Sequence, residues 1–283
     1  MARFALVTDS TSDLPASLAE ERRIYVVPMH IMWGERENLR DGIDLPHGAI
    51  YERLAREREM PTTSQPSPAE YVDAFRRARE ASDAEAVIAM TMSSELSGSY
   101  FSAMQASRMV DFPAYAVDSR TGSMALGLAA LAVAEARDAG VSVEAALTLA
   151  QESAARTHMI FLLDTLEYLY RSGRVDGWKR MLSDVLRIKP LLHVRNGRIN
   201  PLEVVRTRRR ALERLLQLFG ELVDRSKSLR VGVLHGNAPQ DLEAFVAEIK
   251  ARWNPAFLMQ GVVSSGIAVH TGPRSLGFAM LQL

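Results

Sequence analysis

The sequence predicts an α/β protein of two domains, an N-terminal parallel sheet flanked by helices and a C-terminal mixed or antiparallel α+β sheet domain, with a ligand cleft between them. Three observations predict it. Through the first half, short apolar runs recur, each opening into a hydroxyl- or glycine-rich turn and then an apolar-periodic segment, the pattern of strand, turn and helix around a parallel sheet. From residue 158 the texture changes, and Asn196-Gly197 stands as a hairpin turn between two extended segments. The chain has 283 residues, 47% of them apolar, enough to build a core in each of two units. The division expected is 1–157 and 158–283.

Phe4 to Val7 reads as a buried strand leading into T-D-S-T-S-D-L-P. Asp9 and Ser10 then sit either where strand ends meet ligands or simply as helix caps. Ile24 to Met32 is a second extended run, interrupted at Pro28, and Gly34 to Gly42 reads as a polar loop. Asp44 starts a helix from Leu45 to about Arg58 whose charged tail is a solvated face with i,i+4 pairs. The prolines of P-T-T-S-Q-P-S-P-A-E, Pro61 to Glu70, keep the chain extended up to Ser67. Ser67, Pro68 and Glu70 then form a capped helix start, with Tyr71, Phe75 and Ala78 inward. Thr62, Thr63 and Ser64 are either turn chemistry or one wall of a binding site.

Ala86 to Met90 is a buried strand that opens into T-M-S-S-E-L-S-G-S-Y, Thr91 to Tyr100, ahead of a helix to Val110. Clustered hydroxyls and backbone N–H groups at such a turn suit a single anionic group; helix capping by Ser97 or Ser99 is the competing reading. Ala114 to Val117 is a short strand ending in D-S-R-T-G-S, and Ser123 to Ala139 is an alanine-rich helix with so few polar residues that it should be buried. Gly140 ends it, and Ser142 begins another helix to Arg156. Strand ends of a parallel sheet open to one side, which places Asp9, Thr63 and Ser94 on a common rim.

In the second part, Met159 to Leu163 is a strand, followed by a short amphipathic helix closed by Gly173. Arg174 comes next, either as a charge complementing that helix C-terminus or as a site residue. The hairpin spans Ile188 to Pro201; helices at Thr207 to Arg225 and Pro239 to Arg252 flank a strand at Arg230 to Leu234. The remainder, from Phe257, carries V-V-S-S-G-I-A-V-H-T-G-P-R, in which His270 is either a core histidine or a functional one.

Composition removes several classes of function. Lys plus Arg (34) equals Asp plus Glu (34), so no global field draws the chain to nucleic acid or an anionic membrane. With no cysteine, disulfides, thiolate catalysis and Cys-ligated metals are excluded, which fits a cytoplasmic protein. No apolar run approaches the ~18 residues of a membrane span. The phosphate-cradling G-x-G-x-x-G and G-x-x-x-x-G-K-[ST] and the G-x-S-x-G elbow do not occur, and the six histidines show no H-x-x-x-H pairing. No metal and no cofactor are therefore expected. Arg206 to Arg210, R-T-R-R-R, opens an amphipathic helix with Leu212, Leu215 and Leu216 inward, which argues against a nucleic-acid partner.

T-T-S-Q-P-S, S-S-E-L-S-G-S-Y, S-G-R-V, K-P-L-L followed by V-V-R-T-R-R-R, and V-H-T-G-P, in that order across nearly the whole chain, resemble the DegV family. Its members include the fatty-acid-binding subunit of bacterial fatty acid kinase. The resemblance implies two α/β domains holding a long-chain, palmitate-like fatty acid in a tunnel between them. It also implies a separate ATP-binding kinase protein that phosphorylates the carboxylate to an acyl phosphate, so the carrier is not catalytic alone. Carried over by motif, Thr63 and Ser94 hydrogen-bond the carboxylate, while Arg174, Arg206 and His270 belong to the headgroup environment or to engaging the kinase. Ser99 replaces the usual threonine after L-S-G, and Arg274 stands where H-T-G-P is usually followed by glycine, a change expected to bear on kinase docking more than on lipid binding. At roughly 0.8 kcal/mol per buried methylene, a ~16-carbon chain offers about 12 kcal/mol gross. Thirteen methionines fit an adaptable lining, although core packing uses most of them. The alternatives are a stand-alone small acyl or phosphoryl transferase with His270 as base, and a DNA-binding regulator acting through the Arg206 helix.

Overall fold

The computed structural model describes residues 2–174 and 188–283, so Val175 of the S-G-R-V motif lies outside the described residues. Four strands, β1 (Ala2–Asp9), β2 (Ile24–Val27), β6 (Ala84–Thr91) and β7 (Ala114–Asp118), form an all-parallel sheet in the order β2-β1-β6-β7. Six more, β8 (His158–Leu162), β9 (Lys189–Arg195), β10 (Arg198–Val205), β11 (Leu229–His235), β12 (Phe257–Val262) and β13 (Leu276–Gln282), form a second sheet in the order β10-β9-β8-β13-β11-β12. Only its β11–β12 pair is parallel. The parallel sheet flanked by helices and the separate mixed sheet are those the sequence predicts.

The helices are α1 (Ala16–Glu21), α2 (Ala49–Arg56), α3 (Pro68–Ser82), α4 (Ser99–Ser107), α5 (Ser123–Asp138), α6 (Val143–Ala155), α7 (Glu167–Arg171), α8 (Arg208–Leu222), α9 (Pro239–Trp253) and α10 (Ser265–Thr271). Strand alternation sorts the core into layers. Ala5, Val7, Val87 and Ala89 face α3 and α4, with Tyr71 and Phe75 beneath them. Phe4, Leu6, Ile88 and Met90 face the opposite way, onto α5. In the second sheet Met159, Phe161, Ala279 and Leu281 turn toward the same α5, while Ile160, Leu162, Phe278 and Met280 pack against α8 and α9. Helix α5 is thus the shared middle layer, which is why every residue from Ser123 to Val133 is buried. On β11, Gly232 faces α5 with no side chain, and a Cβ there would overlap Met124.

Local grammar holds where a side chain bonds the backbone. Ser67 and Glu70 form a reciprocal capping box, with Ser67 Oγ accepting from Glu70 N at 3.3 Å and Glu70 Oε2 from Ser67 N at 2.8 Å. Ser142 and Thr207 cap α6 and α8. Asn196 (φ 54°) and Gly197 (φ 82°) make the left-handed pair a tight hairpin needs.

The first 65 residues depart from expectation. Pro28 does more than interrupt one extended run: β2 joins the parallel sheet, while β3 (His30–Trp33) founds a third, antiparallel sheet, β4-β3-β5. Its β4 (Glu37–Arg40) occupies the stretch expected to be a loop, and its β5 (Thr62–Ser64) carries the three hydroxyl residues. Helix α2 begins after Gly48, not at Asp44, because the Asp44 carboxylate closes a local turn with Arg40 N at 2.9 Å and Nε at 2.8 Å. Among the described residues no helix is long and apolar enough to cross a membrane.

Candidate functional site

A cavity of about 350 Å³ lies between the two larger sheets, within the size range of small-molecule sites. Its walls are mainly apolar: Met159 and Phe161 from β8, Val194 and Ile199 from the hairpin, Leu234 from β11, and Ile267 from α10. Met29 and Met92 add two flexible thioethers. Four of the five residues singled out in the sequence, Thr63, Ser94, Arg174 and His270, line this cavity, although β5, the β6–α4 turn, the end of α7 and α10 each supply only one. Arg206 is exposed between β10 and α8 and does not line it.

Three of these groups, Thr63, His270 and Arg174, lie together. Thr63 Oγ1 lies 2.8 Å from His270 Nε2, joining residues 207 positions apart. Burial, and next the Arg174 charge, push the His270 imidazole down to about 3, so the ring is neutral at physiological pH. Its Nδ1 is buried without a hydrogen-bond partner among the described residues. Arg174 is half-buried, donates Nη1–H to the Ser172 carbonyl at 2.5 Å, and has no carboxylate partner among the described residues. Burial works against its charge, a cost that an anion in the cavity would offset. His270 is followed by Thr271 and Gly272, whose φ of 67° suits glycine and whose missing Cβ leaves room for the Tyr168 ring.

The hydroxyl turn is more committed than its sequence suggests. Ser93 Oγ donates to the Gly197 carbonyl at 2.8 Å, pinning the hairpin tip. Arg120 Nη2 reaches the Asn196 carbonyl at 2.7 Å, and Arg198 pairs with Glu95 at 2.7 Å. Ser97 and Ser99 share a hydrogen bond at 3.0 Å and Ser97 Oγ accepts from Ser99 N at 3.2 Å, while the residue that caps α4 is Gly98, which makes no side-chain cap bond. Ser94 Oγ donates to Asp118 Oδ2 at 2.5 Å. Asp9 has a structural role: Oδ1 accepts from Thr11 N at 3.1 Å and Oδ2 from Met92 N at 3.0 Å, tying the ends of β1 and β6 together.

Sequence reasoning missed the residues behind these contacts. Asp13 and Asp41 are buried at the N-terminus of α10, where Asp13 Oδ1 accepts from Ser264 N at 2.7 Å. Asp41 accepts from Ser265 N at 2.9 Å and Gly266 N at 3.2 Å. They fix the helix that delivers His270. For Asp118 a signal was present, since D-S-R-T-G-S marks a strand end on the same side as Ser94.

Comparison with known proteins places this geometry. The profile of the DegV family, described as uncharacterised proteins, matches residues 3–283. A DegV domain-containing protein of Streptomyces coelicolor is 36% identical over 274 residues, covering 96% of each chain. Among solved structures, a DegV family protein from Thermus thermophilus, described for its fatty acid binding, superposes with a TM-score of 0.91 at 30% identity, covering 99% of this chain and 100% of that one. DegV of Bacillus subtilis, described as a fatty acid binding protein, superposes with a TM-score of 0.89 at 30% identity over 100% of both chains.

Proposed function

The chain belongs to the DegV family, and from that membership and the cavity we propose that it binds a long-chain fatty acid and presents the carboxylate to a separate ATP-dependent kinase. The observation that carries this reading is the union, in one cavity, of an apolar wall with Thr63, Ser94, His270 and Arg174 along it. Methylenes leave water against Met159, Phe161 and Ile199, while the ionised end needs partners that an apolar interior lacks. A neutral His270 donating Nε2–H to Thr63 Oγ1 leaves the threonine hydrogen available for a carboxylate oxygen. Arg174 supplies the charge. The lobes 1–157 and 158–283 each contribute wall, and the acyl chain lies along their seam.

In this reading a carboxylate oxygen attacks the γ-phosphorus of ATP held by the partner. The bond from that phosphorus to the bridging oxygen breaks, ADP leaves, and the acid becomes an acyl phosphate. The carrier contributes position and charge compensation, not a base. A transferase using His270 as its base is disfavoured, because a ring held near a pKa of about 3 accepts protons poorly at neutral pH.

The test has two parts. Denaturing extraction followed by mass spectrometry should recover a long-chain acid, and delipidated protein should take up palmitate with one-to-one stoichiometry. Acyl phosphate should then form only when both this protein and the kinase are present. A protein that neither carries nor takes up long-chain acids overturns the reading; one that makes acyl phosphate with ATP alone overturns the carrier assignment.

A further inference from the structure

Resting on the fatty-acid reading, we propose that Asp118 is a positioning residue that turns the Ser94 hydroxyl hydrogen away from the cavity and thereby limits the affinity for an ionised head group. Three donors converge on its carboxylate: Ser94 N at 3.2 Å and Arg120 N at 2.9 Å on Oδ1, and Ser94 Oγ at 2.5 Å on Oδ2. Both oxygens act as acceptors, as a carboxylate's must.

A serine hydroxyl has one hydrogen. With that hydrogen given to Asp118, Ser94 shows the cavity only oxygen lone pairs. Thr63 is arranged the opposite way, since His270 can supply its acceptor contact and leave its hydrogen for the ligand. The two hydroxyls that look equivalent in sequence therefore differ in polarity: Thr63 donates, and Ser94 accepts. A bound carboxylate packed against Ser94 lies about 5 Å from the Asp118 carboxylate across a single oxygen atom, with no hydrogen of its own to give that oxygen. Two like charges at that range repel, and each competes for the same hydrogen. Arg174 offsets the repulsion without removing it. The outcome is a carboxylate held by one firm donor instead of two, which leaves its second oxygen less encumbered for attack on phosphorus.

Asp118→Asn separates this from a structural role. The amide keeps the shape and an acceptor for Ser94 N and Arg120 N, while its NH₂ donates to Ser94 Oγ and swings the serine hydrogen toward the cavity. Removing the charge and gaining a donor should tighten palmitate about fivefold or more. Hexadecanol, which has the same tail and no charge, should stay within about twofold, since a neutral head group feels neither the repulsion nor the competition. Ser94→Ala should weaken palmitate less than Thr63→Val does, a comparison that holds even if Asp118→Asn folds poorly. Equal weakening of both ligands by Asp118→Asn, or an equal loss from the two hydroxyl variants, overturns the proposal. A wild-type protein that binds neither ligand overturns the functional reading instead, so the two failures are distinguishable.

Discussion

The two ends of α10 are polar for opposite reasons. At its N-terminus two buried aspartates meet a full complement of donors: Ser264 N and Ser123 Oγ on Asp13, and Ser265 N, Gly266 N and Ser10 Oγ on Asp41. At its C-terminus His270 is partly open to the cavity while its Nδ1 is buried, and it has one bond, to Thr63, with no partner for Nδ1 among the described residues. Burial alone does not separate structure from function. What separates the aspartates from the histidine is whether the titratable group's hydrogen-bonding capacity is used up inside the protein or kept open toward a cavity.

Breaking the closed end should cost the most. Asp41→Ala leaves two helix N–H groups and the Ser10 hydroxyl without their acceptor, a loss of about 3 kcal/mol. In a chain of this size that lowers the melting temperature by about 5 °C. Palmitate stoichiometry measured well below the transition should be retained. An unchanged melting temperature would show that the aspartate clamp is dispensable.

The open end should behave in reverse. Thr63→Val removes the hydroxyl that faces the ligand while keeping volume, and should weaken palmitate about tenfold to a hundredfold. Its melting temperature should shift less than that of Asp41→Ala, because a single bond, the one to His270, is lost and the cavity gives water room to replace it. Calorimetric titration beside a thermal scan checks both; a large stability loss with intact binding would make Thr63 a structural residue.

Proton linkage sharpens the contrast further. The native pKa of His270, about 3, lies below its ordinary 6.5, so its contribution is complete above pH 6.5 and is lost as pH falls toward 3. Asp13 is displaced the other way, from 3.8 up to about 6 by burial, so its contribution is complete below pH 3.8 and is lost as pH rises through 6. Between about pH 4 and 6 the two slopes oppose each other. Wild type should lose stability relative to His270→Asn by up to about 1.4 kcal/mol per pH unit on acidification, and gain it relative to Asp13→Asn. Denaturant midpoints at about pH 4 and 6.5, at the edges of that window, read the sign directly, and parallel curves for all three proteins would refute it.

Legibility in the sequence follows the same division. Elements with a repeating apolar pattern or a side-chain cap were readable, among them α5, the Ser67 capping box and the Asn196-Gly197 turn, because the information is local. Strand β4 was not, since Glu37, Asn38 and Arg40 are exposed and leave no alternation to read. Thr63 and His270 came from motif resemblance; no local rule joins residues 207 apart. Asp118 was legible as a strand-end residue beside Ser94, but its effect runs through that serine and becomes visible only once the direction of one hydrogen bond is known.

The smallest expected effect sits just past the open end, at Arg274. Its φ of 61° is left-handed, a conformation that costs a non-glycine residue about 1 kcal/mol and that glycine adopts freely. The side chain recovers little: Nε lies 3.8 Å from Asp164, which Lys189 already holds at 2.8 Å, and more than half of the arginine is exposed. The backbone matters more, because the Arg274 carbonyl accepts from Arg208 Nη1 at 2.7 Å and its N–H donates to the Gly236 carbonyl. Both bonds survive substitution by glycine. Arg274→Gly therefore relieves the strain but gives the unfolded chain more freedom, leaving a net stabilisation of about 0.5 kcal/mol. Palmitate affinity should stay within about twofold, since Arg274 is outside the cavity lining and its charge is screened by solvent. Acyl phosphate formation with the kinase is the discriminating measurement. A changed rate at unchanged palmitate affinity would assign the arginine to the partner-facing surface, whereas a change in affinity alone would extend the open end of α10 beyond His270.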